Sequence, residues 1–238
     1  MKSILRYFHP LEVIKRQRKR YVSTLQLPKF LTRVLDLPFP EIDDLANELE
    51  YIVLDFETTG LDCNDDLILS MGWVDIKQGK VDLSSAHHLY INNGSQVKPE
   101  TAVINHIIPQ MLSGGVNIHD AMMTFFEAAR GKVIVAHACV VEARFMNKYL
   151  NESYHLPDMP LLWLDTLCIE KRMAKALNRD VGIDLTLTGV RERYGLPAYN
   201  SHNALADAVS TAELLLAIIK RIRPDSTASF GHLYKLSV

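Results

Sequence analysis

The stretch Tyr51-Ile52-Val53-Leu54-Asp55-Phe56-Glu57-Thr58-Thr59-Gly60 is the part of the sequence that decides the fold. Its first four residues are apolar or aromatic, which predicts a central strand that is buried on both faces. Because side chains alternate along a strand, Asp55 and Glu57 are expected to project from the same face. Two such acids repel each other and lose hydration, so a bound cation is the simplest way to keep both ionised.

The composition is that of an ordinary globular protein, and 238 residues are enough for one sizeable core. No apolar run approaches the ~20 residues of a membrane span, and the N-terminus lacks a signal-peptide core. The three cysteines, Cys63, Cys139 and Cys168, do not show the paired spacing of a zinc site or a disulfide framework. We therefore expect a reduced, cytoplasmic protein without a membrane span.

The charge is distributed unevenly along the chain, although the net charge is only −2. Residues 1–40 contain nine Lys and Arg and two Asp and Glu, which gives +7, so the remainder carries −9. Residues 10–25 also have helical character. We expect residues 1–48 to form a basic extension that contacts nucleic acid or a protein partner. The alternative is a solvated basic helix that packs on the body of the protein.

Hydrophobic patterns and turn residues predict the remaining elements. Residues 66–76 and 80–91 are predicted to form an antiparallel hairpin beside the first strand, because only a short turn separates them. The other predicted strands are 132–136 and 161–164. The predicted helices are 99–113, 118–130, 140–150, 166–177 and 204–222, with a shorter helical stretch between Gly182 and Gly195. Residues 223–238 form a polar, mixed tail for which no element is predicted.

Two later acids lie in surroundings that predict burial. Glu142 falls in the apolar half of the helix 140–150, and Asp207 lies in the first turns of a helix that is apolar nearly all round. A buried acid needs a metal or a basic partner. Together with Asp55 and Glu57, these carboxylates form a set of hard oxygen ligands that suits Mg²⁺ or Mn²⁺. His202 precedes Asp207 by five residues and is the candidate general base.

Three motifs occur in a recognisable order: Asp-Phe-Glu-Thr-Thr-Gly-Leu at 55–61, Ala-His at 136–137 before an acid-bearing helix, and His202-(x4)-Asp207. Together they resemble the DEDDh 3′–5′ exonuclease superfamily, and in particular its DnaQ-like branch, which includes the proofreading epsilon subunit of bacterial DNA polymerase III. The resemblance implies an α/β, ribonuclease H-like fold with a five-stranded mixed sheet flanked by helices. It divides the chain into a basic helical extension (1–48), an exonuclease domain (49–222) and a C-terminal tail (223–238).

The resemblance also implies a reaction, the hydrolysis of single-stranded DNA 3′ ends to nucleoside 5′-monophosphates with two Mg²⁺ or Mn²⁺ ions. Asp55 would bridge both ions, Glu57 and Asp207 would hold the ion on the side of the nucleophile, and Glu142 would serve the second ion. His202 would be the general base. The residues that would contact the terminal nucleotide are Thr58, Thr59, Leu61, Glu100, and Asn105 or His106.

Glu142 departs from the family pattern, which usually has Asp at this position, often after Phe, whereas Val141 precedes it here. A glutamate is one methylene longer and still reaches a metal if its helix lies slightly further away. We therefore expect retained activity with a slower rate or an altered metal preference. One alternative is a 3′–5′ exoribonuclease acting on short RNA, although DNA is favoured over RNA. The other is a catalytically weakened nucleic-acid-binding module.

Overall fold

A five-stranded mixed sheet forms the centre of the computed structural model, which describes residues 6–92, 107–179, 181–225 and 227–238. Its strands are β1 (Tyr51–Thr58), β2 (Ile68–Lys77), β3 (Lys80–Tyr90), β4 (Val133–Ala136) and β5 (Trp163–Asp165). They lie in the order β3-β2-β1-β4-β5. The β1–β2 and β2–β3 pairs are antiparallel, and the β1–β4 and β4–β5 pairs are parallel. The predicted fold class is confirmed.

Helices cover both faces of this sheet. Those of the described residues are α1 (Pro10–Thr24), α2 (Lys29–Leu35), α3 (Pro109–Ser113), α4 (Ile118–Ala128), α5 (Val140–Tyr154), α6 (Thr166–Ala176), α7 (Leu187–Arg193), α8 (Ala204–Ile222) and α9 (Phe230–Ser237). None of them is long and apolar enough to cross a membrane.

Several elements differ from the sequence prediction. No helix was predicted at α2, and of the predicted helix 99–113 the described residues form a helix only over α3, whereas residues 99–106 lie outside the described part of the chain. The last strand begins at Trp163 instead of residue 161. The tail contains α9, for which no element was predicted. Ser229 caps this helix by accepting a hydrogen bond from the His232 N–H, and Phe230 and Leu233 are fully buried. A short helix whose apolar residues pack into an existing core is stabilised mainly by that packing, so its own sequence carries little signal.

The alternation along β1 divides the core into two clusters. Ile52 and Leu54 belong to a cluster with residues of α4 and α5. Tyr51 and Val53 belong to a cluster with residues of α8 and α9 on the opposite face. Asp55 and Glu57 continue the second face along β1, so their side chains are directed toward the layer that contains α8.

The N-terminal extension is basic and helical, as predicted, and it also contributes to the core. Leu11 and Leu31 are fully buried, one in each cluster. The Arg18 guanidinium is buried, donates hydrogen bonds to the carbonyl oxygens at the end of α2, including Val34 O at 3.0 Å, and lies 4.0 Å from the Phe39 ring. Burial lowers the pKa of Arg18 to about 10. This part of the basic run is therefore structural.

Candidate active site

The candidate site is a cluster of carboxylates at the end of β1. One oxygen each from Asp55, Glu57 and Asp207 lies within 4.8 Å of the others, and among the described residues this is the group that could hold a metal ion. Asp55 and Glu57 come from β1, and Asp207 comes from the first turn of α8. The structure thus brings together three of the four acids that the sequence predicts as ligands.

Gly72 is the residue that lets α8 reach the sheet at this point. It pairs with Asp55 in the β1–β2 ladder, and a β-carbon built on it would overlap the backbone of Ala204 and Leu205. A glycine inside a strand often marks the close approach of another backbone. Here the approaching backbone is the start of the helix that carries Asp207.

The loop before α8 fixes both Asp207 and His202. The His202 backbone N–H donates a hydrogen bond to Asp207 Oδ2 at 3.0 Å, and the Asn203 side chain caps α8 through the Ala206 N–H at 3.1 Å. His202 has a φ of 64°, in the left-handed region that non-glycine residues rarely adopt. The exposed His202 side chain is thereby placed beside the carboxylate cluster.

Electrostatics make this cluster unfavourable without a cation. The pKa of Asp55 is raised well above its usual range by burial and then by Glu142, Asp207 and Glu57. Burial and the charge of Asp207 raise the pKa of Glu57 to about 7. Burial also raises the pKa of Asp207, although hydrogen bonds from the Tyr199 side chain and the His202 N–H favour its charged form. Each carboxylate therefore binds a proton more readily than it would in water.

The donor set fits a divalent metal ion. Hard carboxylate oxygens are the ligands of Mg²⁺ and Mn²⁺. Asp207 Oδ1 and Glu142 Oε2 are buried and have no hydrogen-bond partner among the described residues. Because an unsatisfied buried carboxylate oxygen is costly, a cation that contacts these oxygens would stabilise the site.

The metal-free protein is expected to lose stability as the pH rises from about 4.5 to about 8. In this range the folded protein retains protons on Glu57 and Glu142, whose pKa values are raised to about 7 and about 8, whereas the unfolded chain has released them. The free energy of unfolding therefore falls with rising pH. Thermal melting in EDTA should show this fall, and Mg²⁺ or Mn²⁺ should reverse it at the upper end of the range. A melting temperature in EDTA that rises across this range would contradict the assignment.

Glu142 lies next to the cluster and outside the group of three. It is 4% exposed, in the first turn of α5, and it contributes to the raised pKa of Asp55. Burial raises its own pKa to about 8, and the backbone N–H groups of Phe56 and of Glu142 itself act in the opposite direction. The predicted burial of Glu142 is confirmed. Its role as the fourth metal ligand stays a prediction.

Asp165 fixes the start of α5, and with it Glu142. Its carboxylate accepts hydrogen bonds from the N–H groups of Ala138 (3.1 Å) and Cys139 (3.0 Å) just before α5. It also accepts hydrogen bonds from the N–H groups of Leu167 (2.9 Å) and Cys168 (3.2 Å) in the first turn of α6. The sequence predicted the helix that begins at residue 166, but it did not predict the contacts of Asp165 with the start of α5, because these depend on how the two helices meet.

His202 lines two cavities. The larger is a cleft of about 360 Å³ whose lining includes Asp55, His137, Tyr199 and Asp207, and the smaller is a pocket of about 130 Å³ beside Glu57. Both ring nitrogens of His137 are engaged, Nδ1 with Thr166 Oγ1 and Nε2 with Leu185 O, each at 2.8 Å. His202 is therefore the better placed of these two histidines to exchange a proton with a molecule in the cleft.

The residues predicted to contact the terminal nucleotide fall into two groups. Thr58 is the last residue of β1, and Thr59 and Leu61 lie in the turn that follows it. Thr58 Oγ1 donates to Gly60 O at 2.6 Å, and Leu61 is 73% exposed. Thr59 Oγ1 donates to Asp66 Oδ1 at 2.7 Å. The other group, Glu100, Asn105 and His106, lies outside the described residues. Contact with substrate stays a prediction for both groups.

Other residues at the site were not predicted from the sequence. They are Gly72, which admits α8, Thr186 to Thr188 and Tyr199, which line the cleft, and Ser70 and His88, which line the smaller pocket. Gly72 carried a usable signal, because a glycine inside a predicted strand indicates a close backbone approach. The others carry no local signal, since their positions depend on tertiary packing.

Comparison with known proteins assigns the family. The profile of the exonuclease family RNase_T matches residues 52–215, which is most of the chain. The chain belongs to this exonuclease family. Family membership confirms the predicted resemblance and the predicted enzyme class, a nuclease.

The exonuclease domain is similar to parts of much longer proteins. It is 27% identical over 194 residues to DNA polymerase III PolC-type of Thermotoga maritima, covering 82% of this chain and 14% of that protein. It is 25% identical over 187 residues to the 3′-5′ exonuclease DinG of Staphylococcus saprophyticus, covering 79% of this chain and 20% of that protein. This chain therefore spans about a fifth or less of these two relatives.

A solved structure shares the fold. E. coli Exonuclease I in complex with a dA16 oligonucleotide superposes with a TM-score of 0.60 at 17% identity, covering 75% of this chain and 42% of that chain. At this identity the similarity shows the fold alone.

Proposed function

We propose that the protein is a 3′–5′ exonuclease that hydrolyses phosphodiester bonds at single-stranded DNA 3′ ends and releases nucleoside 5′-monophosphates. The observation that carries this proposal is the buried cluster of Asp55, Glu57 and Asp207 with His202 beside it. The name of the DinG relative supports the polarity, and the oligonucleotide bound to Exonuclease I supports a single-stranded DNA substrate. A cytoplasmic location is part of this proposal.

Asp55, Glu57 and Asp207 are the residues that would hold two ions, Mg²⁺ or Mn²⁺, with Glu142 as a further ligand of the second ion. Such ions, when bound, supply charge stabilisation for a phosphoryl group and make a water molecule more acidic. The protein contributes carboxylates held close together by β1 and α8. Their mutual repulsion is relieved by cations, so the arrangement favours metal binding over an empty, ionised site.

His202 is the proposed general base for the attacking water. It lies in the loop whose backbone is fixed by Asp207, and its side chain lines the cleft that also contains Asp55. His137 lines the same cleft, but hydrogen bonds to Thr166 and Leu185 occupy both of its nitrogens. We therefore assign His137 a structural role in the cleft wall, and His202 is the histidine that takes up the proton of the attacking water.

Strand polarity and product identity test the proposal. With Mg²⁺ or Mn²⁺, single-stranded DNA labelled at its 5′ end should shorten one nucleotide at a time. The same strand labelled at its 3′ end should lose the label at once as a nucleoside 5′-monophosphate. A circular single strand of the same composition is the control and should stay intact. Cleavage of the circle, or immediate loss of a 5′ label, would contradict 3′–5′ exonuclease activity.

One observation favours a second candidate, a catalytically weakened nucleic-acid-binding module. Glu142 lies outside the group of three carboxylates that approach one another closely. If the second ion is held poorly for this reason, the protein would bind a strand without cutting it. Binding of single-stranded DNA with no shortening in either metal would support this candidate over the enzyme.

Replacing Glu142 with Asp is expected to change the metal dependence of hydrolysis. The shorter side chain draws the carboxylate back toward α5, so the ratio of the rates in Mg²⁺ and Mn²⁺ should change severalfold. The measurement is kcat/KM in each metal for the wild type and E142D. Glu152 is exposed on the same helix, so E152D is the matched control and should keep the wild-type ratio. An unchanged ratio in E142D would contradict the proposal that Glu142 is a metal ligand.

The exposed face of α1 is proposed to contact nucleic acid or a protein partner. Arg16, Lys19 and Arg20 are exposed, whereas Arg18 is buried and Lys15 is paired with Glu41 at 2.8 Å. Replacing the three exposed residues with Gln should lower the slope of log affinity against log salt by about 2, since each contact to a single strand contributes about 0.7. An unchanged slope for single-stranded DNA would contradict a contact between this face and nucleic acid, and a protein partner would be the remaining interpretation.

A further inference from the structure

The loop between α7 and α8 leads into the candidate site with little support from its own backbone. Residues 197–201 belong to no helix or strand, and none of them takes part in a backbone–backbone hydrogen bond among the described residues. The loop nevertheless ends at His202, and its residues Tyr199 and Ser201 line the cleft. A loop of this kind acts at a defined place only when a rigid part of the protein holds it. Side-chain contacts must therefore fix its position.

Arg191, in the last turn of α7, provides these contacts from beneath the loop. The residue is only 3% exposed. Its Nη2 donates a hydrogen bond to Pro197 O at 2.9 Å. Its guanidinium carbon lies 5.1 Å from the centre of the Tyr199 ring, within the range of a cation–π contact. One buried cation thus contacts the loop at two points that are two residues apart.

The same guanidinium also contacts α8. Nη1 donates to Ser210 O at 2.6 Å, and Nη2 donates to Glu213 Oε2 at 2.8 Å. Ser210 follows Asp207 by three residues, so the two are neighbours on one side of α8. Because the guanidinium is planar and its donors are fixed relative to one another, it sets the geometry between the segments that it joins. Arg191 therefore ties the loop to the part of α8 that carries Asp207.

Tyr199 extends this connection to the carboxylate cluster. Its hydroxyl forms hydrogen bonds with Asp207 and with Thr188. Tyr199 and Asp207 both line the cleft, whereas Arg191 is buried behind them and is absent from the cleft lining. Arg191 can consequently affect a metal ion or a strand in the cleft only through the residues that it holds.

We propose that Arg191 and Tyr199 are positioning residues of the metal site, in which Arg191 fixes Tyr199 and Tyr199 fixes the carboxylate of Asp207. This inference rests on the proposed function, in which Asp207 is a metal ligand. Groups that hydrogen-bond to a metal ligand orient it, and their loss typically lowers metal affinity or activity about 10- to 100-fold. The contacts of Arg191 give this chain such a support at the loop that also carries His202.

Binding of Mn²⁺ to the full chain tests the proposal without requiring catalysis, because the electron paramagnetic resonance signal of free Mn²⁺ reports how much is bound. The Kd for Mn²⁺ should rise about 10-fold in Y199F and in R191M. In R191M kcat should fall by a similar factor while KM for single-stranded DNA stays within about twofold, since Arg191 does not reach the strand. R193M is the matched control on the same helix, because the hydrogen bonds of Arg193 go to Asp184 O and Gly189 O. R193M should keep the wild-type Kd and kcat.

The double variant R191M/Y199F distinguishes positioning from a general loss of stability. If Arg191 acts through Tyr199, the Kd of the double variant should stay close to that of the single variants, whereas independent effects would multiply to about 100-fold. If R191M does not fold, R191K takes its place. A lysine keeps the charge but loses the planar fork that reaches both Pro197 and Ser210, so its Kd for Mn²⁺ should also rise.

Three results would overturn the proposal. The first is a wild-type Kd for Mn²⁺ in Y199F, whatever R191M does, and the second is a wild-type Kd in R191M or in R191K. The third is a full multiplication of the two effects in the double variant, which would exclude a route through Tyr199. Failure of the proposed function looks different. If even the wild type leaves DNA intact, but Y199F and R191M both weaken Mn²⁺ binding without multiplying, the exonuclease proposal fails and the positioning roles stand.

Discussion

Replacing Asp55 with Asn should reduce the rate of hydrolysis by at least about a thousandfold and at the same time stabilise the metal-free protein. Burial and then the charges of Glu142, Asp207 and Glu57 raise the pKa of Asp55. An amide of the same size removes one of the repelling charges, so the melting temperature in EDTA should rise. The same amide is a poor ligand for two cations, so added Mg²⁺ should stabilise the variant far less than the wild type.

The opposite signs of these two effects make D55N informative. A substitution that merely damaged the fold would lower both activity and melting temperature. Asp158 is exposed and outside the site, so D158N removes the same charge as a control and should change neither quantity. A D55N protein that retains wild-type kcat, or that melts lower than the wild type in EDTA, would contradict the assignment of Asp55 to a metal-binding cluster.

Replacing Gly72 with Ala should displace α8 from the sheet. The added β-carbon would overlap the backbone of Ala204 and Leu205, which cannot move without moving the helix. Overpacking of this kind costs about 1–3 kcal/mol in the free energy of unfolding. Because Asp207 lies in the first turn of α8, a shift of about 1 Å should also lower kcat about a hundredfold.

Thermal melting and steady-state kinetics on the same preparation measure both consequences of G72A. Gly114 is a suitable control, because a β-carbon there would meet its nearest atoms only at 3.7 Å, which is ordinary contact. G114A should therefore melt close to the wild type and keep its activity. Wild-type kcat in G72A would show that the approach of α8 to β2 does not position Asp207.

The β1 pattern shows how much of the site the sequence could predict. Four apolar residues followed by Asp-Phe-Glu were enough to place Asp55 and Glu57 on one face of a central strand, and the structure has them there. Asp207 was predicted because it is an acid in an apolar helix. In both cases the relevant geometry is local, a period of 2 in a strand and of 3.6 in a helix.

Glu142 shows where such local reasoning ends. The helical period correctly predicted that its side chain is buried, at 4% exposure. Its distance from the other acids depends instead on how α5 docks, and that is fixed by Asp165, which lies 23 residues further along the chain and accepts the N–H of Cys139. No periodicity within residues 140–150 contains this information.

Arg18 illustrates the same limit for the N-terminal extension. It lies in a run of basic residues that resembles a solvated surface, and its neighbours Arg16 and Lys19 are exposed. Arg18 alone turns inward, because the carbonyl oxygens at the end of α2 provide acceptors and Phe39 provides a ring to stack on. These partners come together only in the folded chain.

The most direct test of the whole account is the rate at which 5′-labelled single-stranded DNA is shortened by wild-type protein and by H202A, with Mg²⁺, Mn²⁺ or EDTA. Stepwise 3′ shortening that requires metal and falls at least about a hundredfold in H202A is the predicted result. His232 is an exposed histidine remote from the cleft, so H232A should behave as the wild type. Shortening that persists in EDTA, or that H202A leaves at the wild-type rate, would contradict a metal-dependent site with His202 as its base.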